Sequence, residues 1–267
     1  MTTKFSFALL FTMILFSACK KDPTSTDNTP PVSSAAGVYI VNEGNFGQNT
    51  ASLSYYDIKN NNVANDVFTS VNNRPLGDVA NAMVIRGNKG YIVVNNSDKI
   101  EIIDVRTHQS LGTINVGAGK NPRRLDFIND SLALVTNFYD SSVSLVNIVH
   151  KTILQRISVG LYPDGIAIIN NRAYVANSGL GYGSTLSVID IPTLTTVQTF
   201  HIGDNPVLVQ RDSDGELYIL CVGFYNDFSD TTDDTPGKIF VYNPSSAIVV
   251  DSIVVGGHPF AMTITKS

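Results

Sequence analysis

The chain has 267 residues, 43% of them hydrophobic and 15% charged, with 20 Gly, 11 Pro, no Trp and a formal charge of −5. Length and composition allow one large all-β domain with many tight turns. No basic run exists beyond Lys20-Lys21, so the electrostatic footprint of a nucleic-acid binder is missing.

The first residues read as a targeting segment. Lys4 supplies a positive start, and Phe5 to Phe16 is an apolar run of 12 residues, too short to span a bilayer comfortably. Small residues Ser17-Ala18 follow, then Cys19. Leu15-Phe16-Ser17-Ala18-Cys19 resembles a bacterial lipobox, which implies a signal peptide over 1–18 and lipidation at Cys19. The competing reading is an ordinary signal peptide, with Cys19 incidental. Residues 19–36 are expected to form a flexible tether, because Lys20 to Ala36 carries Pro, Ser, Thr, Asp and Asn and almost no large apolar side chain. The one other cysteine, Cys221, sits in the apolar run Leu217–Val222 and is expected to be a small buried hydrophobe.

From residue 37 onward one pattern recurs five times. Turn prolines Pro75, Pro122, Pro163, Pro206 and Pro259 are spaced by 47, 41, 43 and 53 residues. Four short runs of β type belong to each unit. The second-type runs are Val38–Asn42, Tyr91–Asn95, Leu134–Asn137, Tyr174–Asn177 and Leu217–Val222. The third are Ser52–Asp57, Ile100–Asp104, Val143–Asn147, Leu186–Asp190 and Ile239–Asn243. The fourth are Val63–Phe68, Ser110–Val116, Thr152–Val159, Thr196–Ile202 and Ile248–Val255. The first-type runs follow the prolines: Leu76–Ile85, Arg123–Ile128, Asp164–Ile169, Val207–Gln210 and Phe260–Thr265. A period of 40–50 residues with four strands per unit predicts an all-β fold over 37–267, a β-propeller of four-stranded antiparallel blades. The domain starts on a second-type run at Val38 and finishes on a first-type run at Phe260. Pairing of these two would close a ring of five and cover both edges; a truncated seven-bladed ring is the competing reading.

Strand order sorts the loops. The 2-to-3 loops and the 4-to-1 connections lie at one end of the channel, and that end is the richer in recognition chemistry. Its candidate ligand contacts are Glu43, Asn45, Phe46, Tyr139, Tyr182 and Tyr225 from the first set. The second set adds Arg74, Asp78, Arg123, Arg124, Tyr162, Asp164, His258 and Phe260. Rings in loops suit an aromatic-lined mouth for a large, partly flat ligand held by amide and charged groups. A glycan or a partner's loop suits that description as well.

Other constellations point to structure. Asp57, Asp104, Asn147, Asp190 and Asn243 end equivalent strands, where side-chain bonding to the following turn is their natural task. The histidines His108, His150, His201 and His258 are scattered, no paired-cysteine spacing exists, and neither a phosphate-binding Gly-rich loop nor a Gly-x-Ser-x-Gly elbow is present. No metal, cofactor or catalytic residue is therefore expected. Asp227, Asp230, Asp233 and Asp234 crowd one loop, which reads as solvated rather than calcium-binding.

Tyr174-Val175-Ala176-Asn177-Ser178, Thr185–Asp190 and Pro163-Asp164-Gly165-Ile166-Ala167 resemble the YVTN/YncE-like β-propeller repeat. Val38 to Gly47, with Arg74 to Asn81, is similar to the propeller lipoproteins of Bacteroidetes-type outer membranes. Some of those, the BtuG type, bind cobalamin at the cell surface beside a TonB-dependent transporter. The resemblance implies a lipid-anchored protein of the outer membrane, on its surface or periplasmic face. It also implies a small-molecule ligand of cobalamin kind and a transporter as partner. A lactonase-type propeller hydrolase, with Glu43, Asp78 and Asp164 around a metal, and a protein-interaction scaffold are the alternatives.

Overall fold

The computed structural model describes residues 37–225 and 232–265. The signal peptide, Cys19, the tether and the loop residues Asp227 and Asp230 lie outside them. The described chain forms a five-bladed β-propeller. The first blade holds β1 (Gly37–Asn42), β2 (Ser52–Asp57) and β3 (Asn62–Ala64), followed by the short helix α1 (Val67–Asn72). The second runs β4 (Ala80–Arg86), β5 (Lys89–Val94), β6 (Lys99–Asp104) and β7 (Ser110–Asn115). The third runs β8 (Pro122–Phe127), β9 (Leu132–Asn137), β10 (Ser142–Asn147) and β11 (Thr152–Ser158). The fourth runs β12 (Pro163–Ile169), β13 (Arg172–Asn177), β14 (Thr185–Asp190) and β15 (Thr195–His201). The fifth runs β16 (Pro206–Arg211), β17 (Leu217–Cys221), β18 (Lys238–Asn243) and β19 (Ile248–Val254). Every sheet is antiparallel with neighbours in chain order.

Middle strands such as β9 (LALVTN) are apolar on both faces because each blade packs against a blade on either side. The resulting cores lie between blades. Leu53, Ile92 and Ile103 fill the first boundary, Val93, Ile100 and Val135 the second, Leu134, Val175 and Ile189 the third, and Tyr174, Leu186 and Ile219 the fourth. Cys221 is buried in the last of these, and burial pushes its thiol up to about 12. That is the inert hydrophobe expected of it.

Three expectations need correction. Val63–Phe68 is not a single strand: β3 stops at Ala64, and Val67 and Phe68 begin α1. Its β-branched composition is overridden by packing, because the helix delivers Phe68 into the first core and hangs Asn72 on blade two. Asn72 Nδ2 donates to the His108 carbonyl at 2.9 Å, and its Oδ1 accepts from Ser110 N–H at 2.8 Å. Pro75 is consequently not the counterpart of Pro122. That place belongs to Ala80, the first residue of β4. Finally, Phe260–Thr265 is not a strand, and β1 pairs with β2 alone. The segment lies against blade five, where Gln210 Nε2 donates to Met262 O (3.2 Å) and Gln210 Oε1 accepts from Ile264 N–H (3.1 Å).

The strand-end acids and amides behave as their repeat positions demand. Asp57, Asp104, Asn147, Asp190 and Asn243 each accept a backbone N–H two or three residues on, at 2.8–3.1 Å. Those backbone bonds hold the Asp57 and Asp104 carboxyls below their ordinary range. A second recurring device joins the middle strands. Asn42, Asn137 and Asn177 each donate through Nδ2 to two hydroxyls on the adjoining strand: Ser52 and Ser54, Ser142 and Ser144, Thr185 and Ser187. Blade two departs from it. Val94 stands for the asparagine, and Glu101 stands where the others carry Ser144 or Ser187. Its carboxylate is fully buried and is held by Arg74, Lys99 and Ser110.

His108 packs against Tyr39 and Tyr55, with ring centroids 5.7 Å away in each case. Burial holds its imidazole below the usual histidine value, partly offset by Asp104. The folded state therefore prefers neutral His108. Its contribution to stability is whole above the unfolded value of about 6.5 and is lost as pH falls below it toward the lower folded value. Melting temperatures at pH 7.5 and 5.5 should differ less in His108→Asn, since Asn tolerates the left-handed backbone at this position (φ 59°). An unchanged difference would show that another group carries this part of the acid sensitivity.

Candidate functional site at the channel mouth

The mouth is built by one local device repeated in four blades. The residue before each inner strand has a left-handed backbone: Val79, Asn121, Tyr162 and Asn205, with φ between 50° and 59°. Its carbonyl accepts an N–H just after the second strand of the same blade, from Asn95, Phe138, Ser178 and Val222. Asparagine suits that conformation. Valine does not, so Val79 is a strained position beside the site. The first residues of each inner strand then form a β-bulge, seen as register shifts at Ala80/Ala82, Pro122/Leu125, Pro163/Ile166 and Pro206/Leu208. Bulges re-aim side chains. Here they present the residue after each turn, namely Asn81, Arg123, Asp164 and Val207, to the channel.

These residues line a cleft of about 320 Å3 with Val41, Glu43, Ala80, Arg124 and Phe260. Arg123 Nε lies 3.3 and 3.4 Å from the two Asp164 oxygens, and Arg124 Nε lies 3.9 Å from Oδ1. Arg124 also donates to the Asn81 carbonyl at 2.8 Å. Burial lowers its basicity; Asp164 and Glu43 raise it, and Arg123 lowers it. Asn81 Nδ2 donates to Glu43 Oε1 at 2.9 Å, while its own Oδ1 is buried without a hydrogen-bond partner. The Asp164 backbone is pinned by Thr136, whose hydroxyl donates to its carbonyl at 2.8 Å.

A second cleft of about 210 Å3 shares Glu43 and Arg123 with the first and is walled by Phe46, Val79, Phe138 and Tyr139. Phe138, Tyr139 and Tyr162 form a trio of edge contacts with centroids 5.2–5.8 Å apart. The Arg123 guanidinium lies over the Phe138 ring at 5.2 Å. Phe46 and Tyr139 remain 69% and 53% exposed, as rings awaiting a partner would be. Farther round the mouth, Tyr182 contacts Phe224 and Tyr225 contacts His258, the latter pair with centroids 4.3 Å apart.

The candidate contacts thus sort into three groups. Glu43, Phe46, Arg123, Arg124, Tyr139, Asp164 and Phe260 gather on the two joined clefts, with Tyr162 packed behind. Tyr182, Tyr225 and His258 lie on the same rim in separate pairs. Arg74, Asp78 and Asn45 do other work. Arg74 is drawn to Glu101 and lies over Phe68. Asp78 Oδ2 accepts from Gly47 N–H (2.8 Å) and Asn96 Nδ2 (2.7 Å), which ties the loop carrying Phe46 to blade two. Asn45 is exposed, and its N–H donates to Thr50. Glu43, Asp78 and Asp164 are each engaged separately, and among the described residues no three Asp, Glu, His or Cys side chains stand together as metal ligands. Asn81, Val207 and Phe138 complete the clefts without having been singled out from sequence. Counting each unit from Ala80, Pro122, Pro163 and Pro206 would have found the first two.

The fold and its mouth define a β-propeller with a polar, aromatic-rimmed channel entrance. Residues 36–257 match the model of a family described as a domain of unknown function (DUF5074), and the chain belongs to that family. Among solved structures it is similar to Kuenenia stuttgartiensis hydrazine synthase, with 26% identity, a TM-score of 0.55, and coverage of 64% of this chain and 47% of that one. It is also similar to a quinonprotein alcohol dehydrogenase-like protein from Bacteroides thetaiotaomicron, with 16% identity, a TM-score of 0.59, and coverage of 85% and 52%. The second likeness shows the fold alone. The chain spans about half the length of each. No curated protein matches it.

Proposed function

We propose that this protein is a lipid-anchored binding protein of the cell envelope. Its propeller mouth captures a flat ligand rich in polar groups and presents it to an outer-membrane transporter. The observation that carries this reading is the pair of joined clefts, where exposed rings of Phe46 and Tyr139 flank Arg123, Asp164 and Glu43. Rings offer stacking area at low entropic cost, and the charged and amide groups between them fix orientation. Binding fits this arrangement better than catalysis, because Asp164 and Asp78 are already committed to partners that position the site.

Cobalamin is the ligand we propose, delivered to a TonB-dependent transporter. Its conjugated ring would rest across the mouth, since neither cleft is large enough to enclose it. Titration calorimetry with cyanocobalamin should give measurable heat at micromolar protein, and visible absorbance should co-elute with the protein. Neither heat nor co-elution would sink the cobalamin proposal. The anchor is tested separately, by an acyl mass shift on the protein that disappears in Cys19→Ala.

A further inference from the structure

We infer that the ligand of this mouth carries an oxyanion, a carboxylate or a phosphate, on a flat ring, and that Arg123 is the residue that reads it; this rests on the binding role proposed above. A guanidinium has a planar fork of donors that matches two oxygens of one anion. In Arg123 the fork is held but not used. Asp164 takes the Nε side, at 3.3 and 3.4 Å. Phe138 supports the plane from one face. The two terminal nitrogens make no hydrogen bond with any described residue, although the side chain is only 28% exposed. Other arginines of the fold spend theirs: Arg74 on Glu101 and Ser110, Arg124 on Asn81, Arg156 on Val116, Arg211 on Asp126 and Ile168.

The surroundings complete the specification. Phe46 and Tyr139 wall the same cleft and offer apolar area to a ring. Glu43 lines it too, and with Oε1 taken by Asn81 its Oε2 is left to accept from a ligand N–H. Two guanidiniums, those of Arg123 and Arg124, share the single carboxylate of Asp164, so an incoming anion finds positive charge not yet balanced. The recognised group is therefore an oxyanion beside a ring, with an N–H donor within reach of Glu43.

The test uses the full chain with three probes of one shape: 2-naphthoate, 2-naphthyl phosphate and neutral 2-naphthamide. The chain has no Trp, so naphthyl fluorescence reports binding without interference. Naphthoate, naphthyl phosphate or both should bind about tenfold more tightly than the amide, the scale of one charge-assisted fork. Which of the two binds better distinguishes the carboxylate source from the phosphate source. Arg123→Gln should erase the preference for the anion and leave amide binding unchanged. Arg123→Lys should keep part of it, and carries the test if the glutamine variant fails to fold. Equal binding of anion and amide by the native chain, or a preference surviving in folded Arg123→Gln, overturns the inference. If Phe46→Ala then weakens all three probes alike, the mouth remains a binding site and the oxyanion reading fails alone. No binding of any probe at millimolar concentration also overturns it, while cobalamin calorimetry decides the reading on which it rests.

Discussion

Replacing Arg74 and Lys99 together by alanine should lower the free energy of unfolding by about 3–5 kcal/mol, the range for stripping the partners from a buried charge. The charge is Glu101, whose side chain is 0% exposed on the third strand of blade two. Arg74 Nη2 meets Oε1 at 2.7 Å, Lys99 Nζ meets Oε2 at 3.1 Å, and the Ser110 hydroxyl donates to Oε1 at 2.6 Å. With both cations gone, one hydroxyl remains to solvate a carboxylate that water does not reach. Lys99→Ala alone should cost much less, because the Arg74 bond persists. Adding Glu101→Gln to the double variant should recover much of the loss, since the charge itself is removed. Urea unfolding of the four proteins decides the matter. A double variant within about 1 kcal/mol of the native chain, the scale of an exposed ion pair, would mean that solvent already screens Glu101.

Phe68→Ala should cost a similar amount, about 3–5 kcal/mol, by emptying space at the first blade boundary. The ring is fully buried among Leu53, Leu76, Ile92, Val94 and Ile103. No neighbouring strand can close the gap easily, because these side chains belong to two different blades whose spacing is set by their own ladders. Phe68→Leu should cost clearly less, as it leaves a smaller void. The Arg74 guanidinium lies 4.9 Å from the centre of this ring, so the two sites are coupled. Phe68→Ala combined with Arg74→Ala should therefore fall short of the sum of the single losses. Thermal or urea denaturation reads both effects. A Phe68→Ala protein of native stability would show that α1 is an ornament on blade one rather than part of the first core.

α1 also marks where reading along the chain reached its limit. Val63 to Phe68 has the composition of a strand, and nothing local opposes that reading. The helix exists because Phe68 finds a pocket between two sheets and Asn72 finds backbone partners on β7. Both partners lie far along the chain, so no local pattern announces them. The mis-set first unit had a cost at the site. With Pro75 taken as the counterpart of Pro122, Asn81 fell out of the register that contains Arg123 and Asp164, and Arg74 was placed at a mouth it does not touch. The strand-end aspartates and asparagines were legible because their task is local. Each bonds to a turn two or three residues away, and turn chemistry is written in short stretches of chain.

Short-range chemistry and repetition thus settle most of the architecture from sequence: five units of β type, their loops sorted to two ends, and rings and charges concentrated at one of them. A side-chain period and a turn residue act over a few positions, and five repetitions average out local error. What tertiary structure alone decides is which of those rings and charges meet. Arg123, Asp164, Asn81 and Glu43 come from four inner or adjoining segments of four blades, brought together by bulges and by the angle between sheets. It also decides that the segment after Pro259 lies along blade five, through Gln210, rather than pairing with β1. Such meetings depend on the packing of whole blades, a sum of many contacts distant in sequence, and no residue pattern encodes that sum locally.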